Sequence, residues 1–204
     1  MNSNRKRFAL LVGLLIAIVA LTAAATPLLA GSRAQELGEL SQYEIKKGVL
    51  QFDIAEDMTT FVADEAPVHD DGMPAGGNPF IIHGYIYPGG TLGESDGVLA
   101  DGSPEYPDKV IGEWICRGWI IGEGMHATTG ALAITTQIFS LDGELGEVTL
   151  VTDGFESLEA NAPFTRAITG GTGEFSKVRG EQTQEVLGFN TSGALNLRVE
   201  LKVQ

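Results

Sequence analysis

Three histidines, one cysteine and 27 acidic side chains are the groups in this 204-residue chain whose types suit catalysis or ion binding. Nucleophilic hydrolysis lacks a basis, because no G-x-S-x-G elbow occurs and no motif sets His69, His83 or His126 beside a serine or Cys116. His69-Asp70-Asp71 has the residue types of a cation site. Three adjacent residues in a loop with Gly and Pro do not close a coordination shell, so no metal is expected. The single cysteine permits neither an internal disulfide nor a zinc or iron–sulfur centre made of thiolates. The segment GGTGEF at 170–175 has the glycines of a phosphate loop without its lysine or a helix to follow, and Glu174 would repel phosphate. It reads instead as a tight turn between strands that drops Phe175 into the core.

Charge narrows the partners. Four of the 13 basic residues, Arg5, Lys6, Arg7 and Arg33, lie in the first 34 positions, where no acid occurs, which leaves the rest of the chain with a balance of −18. Nucleic acid and anionic membrane surfaces are bound chiefly by cationic side chains, so neither is an expected partner of the body of the protein.

The elements that must position any site are strands. Leu195, Leu197, Val199, Leu201 and Val203 alternate with polar residues, a period of two that buries one face and wets the other. Similar β-rich runs fall at Tyr43–Phe52, Phe80–Tyr87, Val110–Ile121, Ala131–Leu141, Glu147–Thr152, Phe164–Thr169 and Lys177–Leu187, with Gly or Asp in most gaps. Eight strands with short turns predict a closed barrel or a sandwich, and closure is favoured because it removes exposed edges. Such a barrel is either filled by its side chains or holds one small ligand. Two acidic segments, Ala55–Gly77 and Gly89–Asp108, read as loops, either solvated excursions or lids over the barrel mouth.

Parity within two strands bears on a site. In IIHGYIY, His83, Tyr85 and Tyr87 share one face, which is either a polar-aromatic lining or an exterior row. In Ile111–Ile121 both faces are largely apolar, as expected of a strand with the interior on one side and a partner subunit or a loop on the other. Cys116 there reads as an inert buried thiol.

Ahead of the barrel, Arg5-Lys6-Arg7 precedes an uncharged run at 8–30 and small residues at Ser32-Arg33-Ala34. This is the order of a secretory signal, with cleavage after Ala34 fitting best and an uncleaved anchor as the alternative. Residues 1–34 are thus expected to export a single domain of residues 35–204.

Two segments carry a resemblance. AITGGTGEFSKVRGEQTQEV, Ala167–Val186, resembles a stretch shared by allene oxide cyclases and dirigent proteins, and QELGELSQYEI, Gln35–Ile45, is similar to the start of the cyclase domain. The resemblance implies an eight-stranded antiparallel barrel, usually a trimer, that uses no cofactor. Its implied substrate is an apolar small molecule or reactive intermediate whose ring closure or coupling is steered. Glu44 matches a cyclase glutamate, whereas Lys46, Ile82 and the run Asp153-Gly154-Phe155-Glu156 replace other polar positions of that family. Dirigent proteins place carboxylates and arginines around the cavity, which points to Asp153, Glu156, Arg117 and Arg166. Asp153 also ends a β-rich run just before Gly154, where a strand meets a rim. The expected site therefore has Glu44 and Asp153 as catalytic carboxyls, with Arg117, Arg166, Glu156, His83 and Tyr85 contacting the ligand. A non-catalytic barrel that carries a ligand, or is simply filled, is the competing reading.

Overall fold

A computed structural model describes residues 49–141, 148–159 and 162–204. The expected leader, Glu44 and the 43–48 part of the first predicted strand lie outside the described residues. Eight strands run in chain order: β1 Val49–Ala63, β2 Pro79–Pro88, β3 Gly112–Ile120, β4 Ala131–Leu141, β5 Val148–Ser157, β6 Phe164–Gly171, β7 Gly180–Phe189 and β8 Leu195–Val203. Every strand pairs antiparallel with its sequence neighbour, and β1 pairs with β8, so the sheet closes on itself as an eight-stranded antiparallel barrel.

Closure turns alternation into an inside and an outside. Leu197, Val199 and Leu201 point inward with Phe52, Ile54, Ile86, Trp114, Phe139 and Leu150, and together they fill the end of the barrel where β1 begins. The GGTGEF turn behaves as its sequence implies: Gly173 has φ +55 and opens a short 3-10 helix that sets Phe175 into this core. That positive φ is costly for residues with a Cβ.

The expected loop Ala55–Gly77 is corrected in its first half, because β1 continues to Ala63. The acids there do not make the chain solvated. Asp57 is 5% exposed, and its Oδ1 accepts from the Thr59 amide and hydroxyl at 2.9 and 2.7 Å. The pairing of β1 with β2 slips between Asp57 and Val62, which bends the end of β1. The second expected loop, Gly89–Asp108, is a strap on the outer wall and not a lid over the mouth. Arg198 on β8 bonds Asp53 on β1 in a bidentate pair, Nε to Oδ1 at 2.8 Å and Nη2 to Oδ2 at 2.9 Å, and the Leu92 amide donates to the same Asp53 at 2.8 Å. Tyr87 donates its hydroxyl to the Gly97 carbonyl at 2.7 Å, and Tyr85 donates to that of Gly102 at 2.9 Å. Under the strap Ala55, Tyr87, Leu92 and Val98 form a second small core.

The β1–β2 and β3–β4 connections meet at the other end of the barrel. The rings of His69 and His126 stack with centroids 4.2 Å apart, and His126 Nε2 lies 2.9 Å from Asp71 Oδ2. This contact holds the short 3-10 helix Gly124–His126, and with it Met125, at the barrel mouth.

Candidate active site

At the end opposite the apolar plug, the lumen keeps a cavity of about 80 Å³. Its wall is apolar over most of its area, contributed by Phe61, Phe80, Ile82, Ile120, Leu132 and Leu158 among others, with Met58, Met125 and Phe189 at the rim. Two carboxyl groups enter it, Glu56 from β1 and Glu156 from β5. The backbone makes room for both. Glu56 pairs across to Gly84, a residue with no side chain to fill the adjoining lumen. A Cβ on Gly154 would come within 2.9 Å of the Arg166 Cβ, so the missing side chain lets the stem of Arg166 cross β5 toward Glu156.

The two acids stand in different electrostatic surroundings. Glu156 forms an ion pair with Arg166, whose side chain is fully buried in the lumen. Its Oε1 also accepts from Thr135 Oγ1 at 2.9 Å and Gln137 Nε2 at 2.7 Å, and its Oε2 accepts from Gln184 Nε2 at 2.8 Å. Arg166 donates further to Thr135, through Nη1 to the hydroxyl at 2.8 Å and through Nη2 to the carbonyl at 2.9 Å. Behind Glu156 the amides of Gln137, Gln182 and Gln184, all fully buried, bond one another at 2.8–3.1 Å. A charge in this setting is offset by a cation and by oriented dipoles. Among the described residues Glu56 has no such shell. One backbone amide, that of Leu195, donates to its Oε2 at 3.3 Å, and burial, followed by the nearby Glu156 charge, raises its pKa to about 8. Burial and the same two carboxyls push the Cys116 thiol, 4.0 Å from Glu156 Oε1, well above its ordinary value and keep it protonated.

The wall therefore holds one anion fixed by an arginine and one carboxyl that keeps its proton at neutral pH. That is the arrangement of a general acid beside a countercharge.

Of the residues singled out from sequence, the structure brings Glu156 and Arg166 together inside the barrel. Asp153 is on the outer wall, exposed, accepting from Thr136 Oγ1 at 2.6 Å and Thr169 Oγ1 at 3.0 Å. Arg117 and His83 are exposed on the outer wall as well, and Tyr85 is held outside under the strap. The row His83, Tyr85, Tyr87 is thus the exterior one, because Ile82 and Ile86 take the interior parity on β2. Glu56 was missed, since its neighbours Asp57 and Asp64 gave the segment the look of a solvated loop. The usable signal was parity: Phe52, Ile54 and Glu56 fall on one face.

No family model matches this sequence, and no curated protein matches it. Solved structures do. The pterocarpan synthase dirigent protein GePTS1 superimposes with a TM-score of 0.52 at 17% identity, over 76% of this chain and 81% of that one. A second, PsPTS1, gives 0.50 at 20% identity, over 76% and 91%. The fold is a dirigent-like barrel. A structure titled pyocyanin demethylase also aligns, with a TM-score of 0.49 at 20% identity over 76% of this chain and 99% of that one. Identities this low concern the barrel and leave the chemistry to the cavity itself.

Proposed function

We propose that this dirigent-like barrel takes an apolar small molecule or reactive intermediate into its mouth cavity and steers cyclisation or coupling there. Glu56 is the proton donor and Glu156 the fixed countercharge, and no cofactor takes part. The observation that carries the reading is the pairing of two unlike carboxyls in one apolar cavity, because a structural ion pair alone needs only Glu156 and Arg166. A cavity of about 80 Å³ is smaller than the roughly 300 Å³ at which drug-sized ligand sites begin. The ligand is therefore held by one ring or branch, and the rim side chains Met58 and Phe189, 37% and 61% exposed, are free to move aside for the remainder. Wall contacts fix one conformer, and the acid protonates it or stabilises developing negative charge.

Small molecules that accompany the purified protein, found by untargeted mass spectrometry, supply the substrate. Turnover by Glu56→Gln and Glu156→Gln then tests the roles. Loss on the order of 10²-fold in Glu56→Gln with the fold intact is the expected result. Unchanged turnover in both variants would remove the site.

A non-catalytic carrier is the second reading, and the observation in its favour is the plug, since Phe52, Trp114 and Phe139 fill the other end of the lumen. A carrier binds its ligand equally well as the amide variants and returns it unaltered. Export by residues 1–34, with retention by 8–30 as the alternative, belongs to this proposal too, and amino-terminal sequencing of the protein recovered outside the cytoplasm decides it. So does self-association, for which the resemblance implies a trimer.

A further inference from the structure

The engagement of the two carboxyls says which ligands the cavity admits, an inference that rests on the cavity being the binding site proposed above. Both oxygens of Glu156 are committed to the barrel, four donors on Oε1, the Cys116 thiol the longest of them, and one on Oε2. Arg166 spends both Nη nitrogens on Glu156, Thr135 and the Phe155 carbonyl, and its one unpartnered donor, Nε, is buried in the wall and does not line the cavity. An anionic ligand thus meets two acids and no uncommitted cation among the described wall residues. A cationic ligand meets one acid whose negative charge is already matched. Glu56 is different: its Oε2 takes a single long bond from the Leu195 amide, and among the described residues no donor reaches its Oε1. The other polar side chains of the wall are Cys116, a weak donor, and Ser157 at the rim.

We propose that the cavity selects an uncharged ligand, an apolar body about one ring in size with one acceptor oxygen or nitrogen, and that the Glu56 carboxylic acid donates the hydrogen bond that holds this acceptor. The groups facing Glu56 are Glu156 from β5 and Cys116 from β3, with Arg166 from β6 behind Glu156. Cys116 stays protonated through the neutral and mildly alkaline range, so Glu56 is the group whose charge changes there. The sign follows. A neutral acceptor binds while Glu56 keeps its proton and is released as pH rises through about 8. A permanent cation shows the reverse slope, because the ionised Glu56 attracts it.

Three probes of one ring size separate the cases: acetophenone, benzoate and benzyltrimethylammonium. Binding is followed by the methionine methyl resonances, since Met58 and Met125 line the cavity and Met73 does not. Acetophenone is expected to move Met58 and Met125, to leave Met73 in place, and to weaken about tenfold or more between pH 7 and pH 9.5. Benzoate should not bind, and benzyltrimethylammonium should bind only at the higher pH. Glu56→Gln, which keeps an N–H donor, should hold acetophenone at every pH, whereas Glu56→Leu should weaken it about tenfold at pH 7.

Acetophenone binding that moves both methionines yet ignores pH in the unaltered protein would overturn the proposal and leave the cavity as a ligand site. Tighter binding of benzyltrimethylammonium than of acetophenone at pH 7 would overturn it in the same way. No response of Met58 or Met125 to any probe would overturn the cavity reading and this inference together.

Discussion

Arg166 and Glu156 meet on the inside of the barrel, the arginine reaching from β6 across the bare backbone of Gly154 to a carboxylate on β5. An ion pair this well buried does more for arrangement than for net stability, since desolvation offsets most of the Coulomb gain. Removing one partner is another matter. Arg166→Met should destabilise the protein by about 3–5 kcal/mol, because it leaves Glu156 charged in the lumen without its cation. The double variant Arg166→Met, Glu156→Gln should recover much of that loss, which denaturant titration of the parent, both single variants and the double would measure. Additive losses would mean that the pair is not coupled.

Gly154 makes a second prediction on the same pair. Ala at this position forces the stem of Arg166 outward, so Gly154→Ala should weaken ligand binding and lower the melting temperature although no charge is altered. Gly173→Ala should cost about 1 kcal/mol from its positive φ and leave binding alone, since it lies in the turn beside Phe175. Melting curves and the acetophenone titration, taken together, separate a site effect from a turn effect.

The pH dependence of stability follows from Glu56. Its folded pKa is raised, from 4.5 to about 8, so between these values the folded protein holds a proton that the unfolded chain has released. The contribution is complete below about pH 4.5 and declines at up to roughly 1.4 kcal/mol per pH unit until pH 8, above which nothing further is lost. Glu56→Gln removes the titration. It should be more stable than the parent at pH 9, with the gap closing toward pH 5, as read from melting temperatures across that range. A constant gap would assign the Glu56 carboxyl an ordinary pKa.

The outer wall has its own row. Trp119, Ile134 and Phe155 stand directly opposite one another on β3, β4 and β5 and are 61%, 48% and 56% exposed. Three large apolar side chains in register on one sheet face suit self-association. If the protein self-associates as proposed, Trp119→Glu should shift its mass in solution toward the monomer while near-neutral pH binding of acetophenone persists. A mass unchanged by the variant would move the interface elsewhere.

Much of the barrel was legible because seven of the eight strands stand out as β-rich runs, most of them bounded by Gly or Asp. The fault lay in β1, where Glu56 and Asp57 were read through their charge. A strand sends adjacent residues to opposite faces, so these two acids part company: one lines the lumen and the other holds Thr59 on the outside. The same rule separates Asp153 from Glu156. Leu150, Thr152, Gly154 and Glu156 share the interior parity, and Asp153 belongs to the other face. Arg166 and Arg117 divide likewise, the first in step with Ile168 and the second out of step with Trp114 and Cys116. Counting from the nearest certain core residue would have sorted all six. What no counting could supply is the register of closure, the shear that brings Glu56 on β1 within reach of Glu156 on β5.

The direction of β1 and β8 has a practical sequel. Val49 opens β1 opposite Lys202 near the close of β8, whereas Glu56 and Leu195 stand at the cavity. Among the described residues, β1 begins and β8 ends at the plugged end. A linker joined after Gln204 would therefore leave from the base of the barrel, at the end away from the cavity. Attached that way in an array, the molecules would carry the cavity on the side away from the support.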